Sequence, residues 1–261
     1  MTAPEPIYTA ENCRASYRLT WSVSLFWRAP AGGEGWLGDL AAATEADGVR
    51  IVRHRLAGAR VSQFLVSTTP GIAPGSAIRC VKGRLQRLLR GQRPKAFRRN
   101  YSIQSVGSAR SRVVEEYVSG QLDHHRMADP EAQRLLRRFQ IRQEEVDLSR
   151  LRRSAHGQFV CNLHVVLVHD GRWMAVREDV LEATRRTLLK VSRKKGHLLS
   201  RAGVFADHLH LALGCGITES PSDVALAYMN NLAYAQGMRP VYQFGYYAGT
   251  FGEYDYGALR E

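Results

Sequence analysis

The chain has no CxxC pair. Its four cysteines, Cys13, Cys80, Cys161 and Cys215, are scattered, which argues against a zinc knuckle or a dithiol redox centre. No apolar run approaches the roughly eighteen residues that a membrane span requires. The opening stretch MTAPEPIYTAENCRAS lacks the basic-then-apolar order of a secretion signal. These absences predict a cytoplasmic protein with reduced thiols and no membrane partner. Acidic residues are also scarce: 24 Asp and Glu stand against 37 Lys and Arg, a formal charge of +13. That imbalance favours a polyanionic partner, nucleic acid foremost. Arginine dominates the basic set, and its planar fork suits phosphate, although arginine is also enriched by a GC-rich genome. With 261 residues and 44% hydrophobic composition, the chain can build two domains of roughly 100 to 130 residues.

Residues 17–27 (YRLTWSVSLFW) and 61–67 (VSQFLVS) read as strands. After PGIAP, Pro74 stands where a first-turn proline is tolerated, and AIRCVKGRLQRLLR carries apolar residues at helical spacing. NYSIQSVG then leads into SRVVEEYVSGQ, a second helix for which Ser111 is the expected cap. Residues 123–156 are highly charged and poor in bulky apolar side chains, a partly helical connector. Beyond it the signals return in the same order: FVCNLHVVLVHDGRW, HLLSRAGVFADHLHLALG, a Pro-led helix and FGYYAGTFG. Val61 aligns with His208, Gln63 with His210 and Pro74 with Pro221 at an offset of 147, and Gly107 meets Gly252 at 145. Recurrence of this kind points to an internal duplication.

His208 and His210 lie in DHLHLAL, whose alternation puts both imidazoles on one strand face and Leu209 and Leu211 in the core. Two such rings can hold a divalent metal when a third ligand arrives. Nine histidines make a chance His-x-His unsurprising, so context has to decide. Tyr117 and Gln121 are four apart on a predicted helix and share a face; the plainer reading is a solvent-side tyrosine beside a glutamine.

Together these residues resemble the single-tyrosine HUH transposases, the small transposases of certain insertion sequences and their repeat-associated relatives. In that family a His-hydrophobic-His strand is followed by a Pro-containing turn, a helix with a Lys-Gly pair, a short strand ending in Val-Gly, and a helix with Tyr and a Gln four residues on. Here PGIAPGSAIRCVKGRLQRLLR carries Lys82 and Gly83, QSVG follows, and VVEEYVSGQ carries Tyr117 and Gln121. The histidine strand is in the other half, as DHLHLAL. Val61 and Gln63 occupy the histidine positions of the first half, and the tyrosine position of the second half falls at 262, beyond Glu261. Each half holds what the other lacks.

The resemblance implies an α/β (α+β) chain of two ferredoxin-like lobes with antiparallel sheets, residues 15–122 and 157–261, joined by the connector 123–156 into an intramolecular pseudo-dimer. It implies one composite site, because family sites are built in trans. There His208, His210 and Gln121 would bind Mg2+ or Mn2+, and Tyr117 would attack the scissile phosphate to give a 5′-phosphotyrosine. Single-stranded or hairpin DNA is the implied substrate, and a monomer acting as a pseudo-dimer the implied working form. A basic run (Arg79, Lys82, Arg84, Arg87, Arg90, Arg93, Lys95, Arg98 and Arg99) and the cluster Arg193, Lys194 and Lys195 are the expected phosphate contacts. Tyr246, Tyr247 and Phe251 are candidates for base stacking, although strand aromatics are more often core. His54, His124, His125, His156, His164, His169 and His197 read as surface or structural, His164 as a core residue on a strand. Two other readings compete: a catalytically inactive DNA-binding repressor descended from a transposase, and an RNA-binding module, for which no RNP aromatic motif is visible.

Overall fold

The computed structural model describes residues 5–124, 127–237 and 239–253. The run at 17–27 does not form one strand. It breaks at Leu19 into β1 (Arg14–Arg18) and β2 (Thr20–Trp27), which belong to different sheets. In β2 the alternation is strict on one face: Trp21, Val23, Leu25 and Trp27 are wholly buried, and Ser22 and Ser24 point the other way. Then follow α1 (Leu37–Glu45), β3 (Val49–Leu56), β4 (Val61–Thr68), α2 (Pro74–Leu88) and β5 (Phe97–Val106). Ala77, Ile78, Val81 and Leu85 of α2 recur at helical spacing and are buried. Next come α3 (Ser111–His124), α4 (Pro130–Phe139), β6 (Ile141–Arg142) and β7 (Arg152–Arg153). Ser111 is the first residue of α3 and its buried hydroxyl has no hydrogen-bond partner, so it does not cap the helix as expected.

The second half repeats the order with β8 (Gly157–Val160), β9 (Asn162–Val168), α5 (Glu178–Lys195), β10 (Leu198–Val204), β11 (His208–Gly214), α6 (Pro221–Ala235) and β12 (Gly245–Phe251). A capping box between Ser220 and Asp223 starts α6. Among the described residues the result is an α+β fold with two six-stranded sheets, ordered β3-β4-β2-β5-β8-β7 and β1-β12-β9-β11-β10-β6. Each contains a β-α-β-β-α-β unit of the ferredoxin-like type.

Each sheet also borrows a strand. β1 pairs in parallel with β12 of the second sheet, and β8 pairs in parallel with β5 of the first. Hydrogen bonds between the halves come in reciprocal pairs. Gly75 N–H donates to the Ile217 carbonyl at 2.8 Å and Ser222 N–H to the Pro70 carbonyl at 2.9 Å, each residue lying 147 positions from its counterpart. Ser105 donates to the Phe251 carbonyl and Thr250 to the Val106 carbonyl, both at 2.6 Å. Gly107 and Gly252 end β5 and β12 at this contact, and an added Cβ would lie 2.3 Å from Thr250 O in one case and 2.1 Å from Ser105 O in the other. Only glycine permits that approach.

The segment 123–156 is more than a tether. Leu136, Phe139 and Ile141 are buried, β6 adds an edge strand to the second sheet and β7 one to the first. Among the described residues no helix is long and apolar enough to cross a membrane.

Candidate active site

The helix α3 leaves the first sheet at Val106 and packs across β10 and β11 of the second. Its Val118 joins Ala212, Phe251 and Leu148 in a small apolar cluster. Gly203 on β10 lies beneath it: a Cβ there would stand 2.6 Å from the Phe205 ring and 3.3 Å from the Val118 carbonyl. Glu115 of α3 also accepts a hydrogen bond from Ser200 of β10. This covering helix explains the burial along β11, where Leu209 and Leu211 face one layer and His210 and Ala212 are buried on the other.

The docking brings together side chains far apart in sequence. The Tyr117 ring lies 5.9 Å from the His210 ring and 6.1 Å from the His164 ring, centre to centre. His208 and His210 are 5.0 Å apart. Tyr117 is half exposed, whereas Gln121, one turn later, is 5% exposed beneath it. Phe205 stacks on His208 at 4.6 Å and meets His210 edge to face at 5.7 Å.

Both imidazoles of the pair are held through the same ring atom. His208 Nδ1 is 2.6 Å from Asp207 Oδ1, and His210 Nδ1 is 2.9 Å from His164 Nε2. Burial opposes ionisation of Asp207, but the hydrogen bond from His208 and the ion pair with Arg172 outweigh it and keep its carboxyl below the usual range. Burial pushes the pKa of His164 down to about 4, so near neutral pH its ring is uncharged. Partners at Nδ1 fix the orientation of both rings. Among the described residues no three His, Cys, Asp or Glu side chains can hold a metal by themselves. His208 and His210 carry the imidazoles of β11, and Gln121 is a buried amide on the helix that covers that strand.

His164 and Asp207 were not among the expected site residues. On β9, Leu163, Val165 and Leu167 are wholly buried, which places His164 on the opposite face, the face of the histidine pair on the adjacent strand. That alternation was readable in NLHVVLV. Of the stacking candidates, Tyr246 and Phe251 are buried at 7% and 2% exposure and belong to the packing. Tyr247 is half-buried, its ring 5.8 Å from His164.

The basic run divides. Lys82 donates to the carbonyls of Arg98 and Arg99, Arg84 is bidentate to Asp47, and Arg93 donates to Pro30 O and lies over Trp27. Those three side chains are tied into the fold; Arg87, Arg90, Lys95, Arg98 and Arg99 are exposed. Arg193, Lys194 and Lys195 are exposed at the end of α5, with Lys195 paired to Glu219. His54, His169 and His197 are packed inside the protein, His197 between Tyr228 and Glu219. His125 lies outside the described residues.

No protein-family model matches the chain, and the search of curated proteins returns no match. Among solved structures it is similar to a REP-associated tyrosine transposase bound to a REP hairpin, at 13% identity and a TM-score of 0.30, over 35% of this chain and 55% of that one. The chain thus spans about half the length of that transposase. It is also similar to an unknown protein from Galdieria sulphuraria, at 11% identity and a TM-score of 0.22, over 84% of this chain and 94% of that one.

Proposed function

We propose that the chain is a metal-dependent single-stranded DNA nuclease and strand transferase of the single-tyrosine HUH type. On this reading it is an internally duplicated pseudo-dimer, lobes 15–122 and 157–261, with one composite site. The observation that carries the reading is the placement of Tyr117, from the first half, against the histidines of the second. The reciprocal hydrogen bonds between the halves support the duplication.

His208, His210 and Gln121 would hold Mg2+ or Mn2+, which supplies Lewis-acid polarisation of the scissile phosphate. Asp207 and His164 fix the two imidazoles and limit the reorganisation needed on binding. Tyr117, half exposed beside them, is the nucleophile. Its oxygen bonds to phosphorus, the bond to the 3′ oxygen breaks, and the phenolic proton ends on the departing 3′-hydroxyl. The 5′ phosphate remains on Tyr117, and attack by a 3′-hydroxyl reverses the exchange without ATP. The exposed basic residues of the first lobe and the end of α5 bind the backbone.

The test is incubation with labelled single-stranded and hairpin oligonucleotides plus Mg2+ or Mn2+, followed by denaturing electrophoresis. A covalent adduct lost in both Tyr117→Phe and His208→Ala is expected. Tight binding with no adduct across a broad substrate set would replace this reading with that of a DNA-binding repressor.

A further inference from the structure

At 3.6 residues per turn, Ser119, Leu122 and Asp123 lie on the side of α3 turned away from Tyr117. There α3, α4, β6 and α5 enclose a cleft of about 650 Å3, within the range of small-molecule sites. Three of its arginines come from three different elements: Arg137 from α4, Arg142 from β6 and Arg185 from α5. Arg137 is held by Asp123 at 2.6 Å, and Arg142 donates to the Ser119 carbonyl at 3.1 Å. Arg185 differs. Its Nε is shielded from solvent and has no hydrogen-bond partner, a costly state for a charged donor that calls for an explanation. Three guanidinium groups against one carboxylate leave the cleft strongly electropositive, and the half-buried Leu189 gives it an apolar edge.

We propose that this cleft is a phosphate-binding subsite for one nucleotide of the strand that Tyr117 cuts. The phosphate sits on Arg142 and Arg185, and the sugar lies against Leu189. Planar forks from two directions match phosphate geometry. The proposal rests on the strand-transferase reading for its choice of ligand. A helix about 10 Å across separates the subsite from Tyr117, and a path around half of it is about 16 Å, four to five nucleotides at a stacked rise of about 3.4 Å each. A strand wrapping α3 would therefore contact the protein on both sides of the helix that carries the nucleophile.

Binding of a fluorescein-labelled oligothymidylate to the full chain, followed by anisotropy over a salt series in a Tyr117→Phe background, tests this. Arg185→Gln and Arg142→Gln should each weaken binding about tenfold and lower the salt slope by about one. Arg185→Gln should melt no lower than its parent, since it removes an unpaired donor. Unchanged affinity and slope in a normally folded Arg185→Gln chain would overturn the proposal. Competition by free thymidine monophosphate at the affinity of the oligonucleotide would assign the cleft to a free nucleotide and refute the strand assignment. Arg185-dependent binding with no adduct from the Tyr117-containing chain would leave the subsite standing and remove the strand-transfer reading instead.

Discussion

Replacing Gly107 by alanine should separate the two halves of the protein where they touch most closely. The new Cβ would sit 2.3 Å from Thr250 O and 2.9 Å from Phe251 Cα, and ordinary contact begins near 3.4 Å. The obstructing atoms are backbone, so no side chain can rotate away. β5 and β12 must part by about 1 Å, an overpacking strain of about 1–3 kcal/mol. The shift also stretches the 2.6 Å bonds from Ser105 to Phe251 and from Thr250 to Val106, each contributing about 1 kcal/mol. The expected loss is about 3–5 kcal/mol, a fall in Tm of about 10 °C for a chain of this size. Gly83→Ala is the control. That glycine lies within α2 with nothing within 4 Å of an added Cβ, so it should gain about 0.5–1 kcal/mol. Because α3 starts four residues after Gly107, the same shift moves Tyr117 relative to His210, and adduct yield should fall even below the melting transition. Calorimetry and the adduct assay on the two variants decide the matter. A Gly107→Ala chain that melts with the wild type and forms adduct normally would refute the described contact between β5 and β12.

Asp207→Asn should keep the fold and reduce adduct formation about 10–100-fold at limiting metal, with partial recovery at high Mn2+; an unchanged metal titration would count against its role behind His208. Burial lowers the pKa of His197, with Glu219 opposing. The unfolded chain therefore takes up a proton first as pH falls through about 6.5, and stability present above that value is lost on the way down to the folded pKa. Urea titrations of wild type and His197→Gln between neutral and mildly acid pH should show a smaller loss in the variant, the remainder coming from the other buried histidines whose pKa is lowered, His164 and His169. Burial raises the thiol pKa of all four cysteines, Cys80 and Cys215 to about 12. Ellman's reagent at pH 8 should therefore react slowly with the native protein and rapidly with four thiols once guanidinium unfolds it.

Much of the frame was readable because the period of the apolar residues is local. α2, α3, β4, β11, α6 and β12 lie where the patterns at Pro74, Tyr117, Val61, His208, Pro221 and Tyr246 put them. α1 and β3 were not foreseen: LGDLAAATE has little apolar contrast, and VRIVRHRL is an edge strand dotted with arginines. The breaks at Leu19 and Cys161 were equally hidden. A continuous extended run reads as one strand, and only pairing with β12, more than two hundred residues away, draws β1 into the other sheet. Lys82 read as a phosphate contact because its charge is visible in sequence and the Arg98 and Arg99 carbonyls that receive it are not. His164 read as core for the converse reason, since its partner lies across the sheet on β11.

The two sheet faces also show why one half can carry the tyrosine helix and the other is unsuited to it. By strand register, Arg55 stands opposite Gln63 on β3 and β4 as Gly203 stands opposite His210 on β10 and β11. Gly203 has no side chain; a Cβ there would meet the Phe205 ring at 2.6 Å and the Val118 carbonyl of α3 at 3.3 Å. Arg55 fills the equivalent place with a guanidinium that donates to Gln63 at 2.7 Å, and Gln63 donates on to Ser22 at 2.9 Å. That chain of hydrogen bonds occupies the position of the His210–His164 pair. A helix docking there as α3 docks on Gly203 would have to displace Arg55. The amide of Gln63 and the hydroxyl of Ser22 offer no imidazole to a metal. Restoring a second site would therefore require Val61→His, Gln63→His and Arg55→Gly together with a second tyrosine helix to dock there. Val61→His with Gln63→His alone should leave adduct formation dependent on His208, because the helix that carries Tyr117 docks on the second sheet. Adduct that survives His208→Ala in that double variant would refute the single composite site.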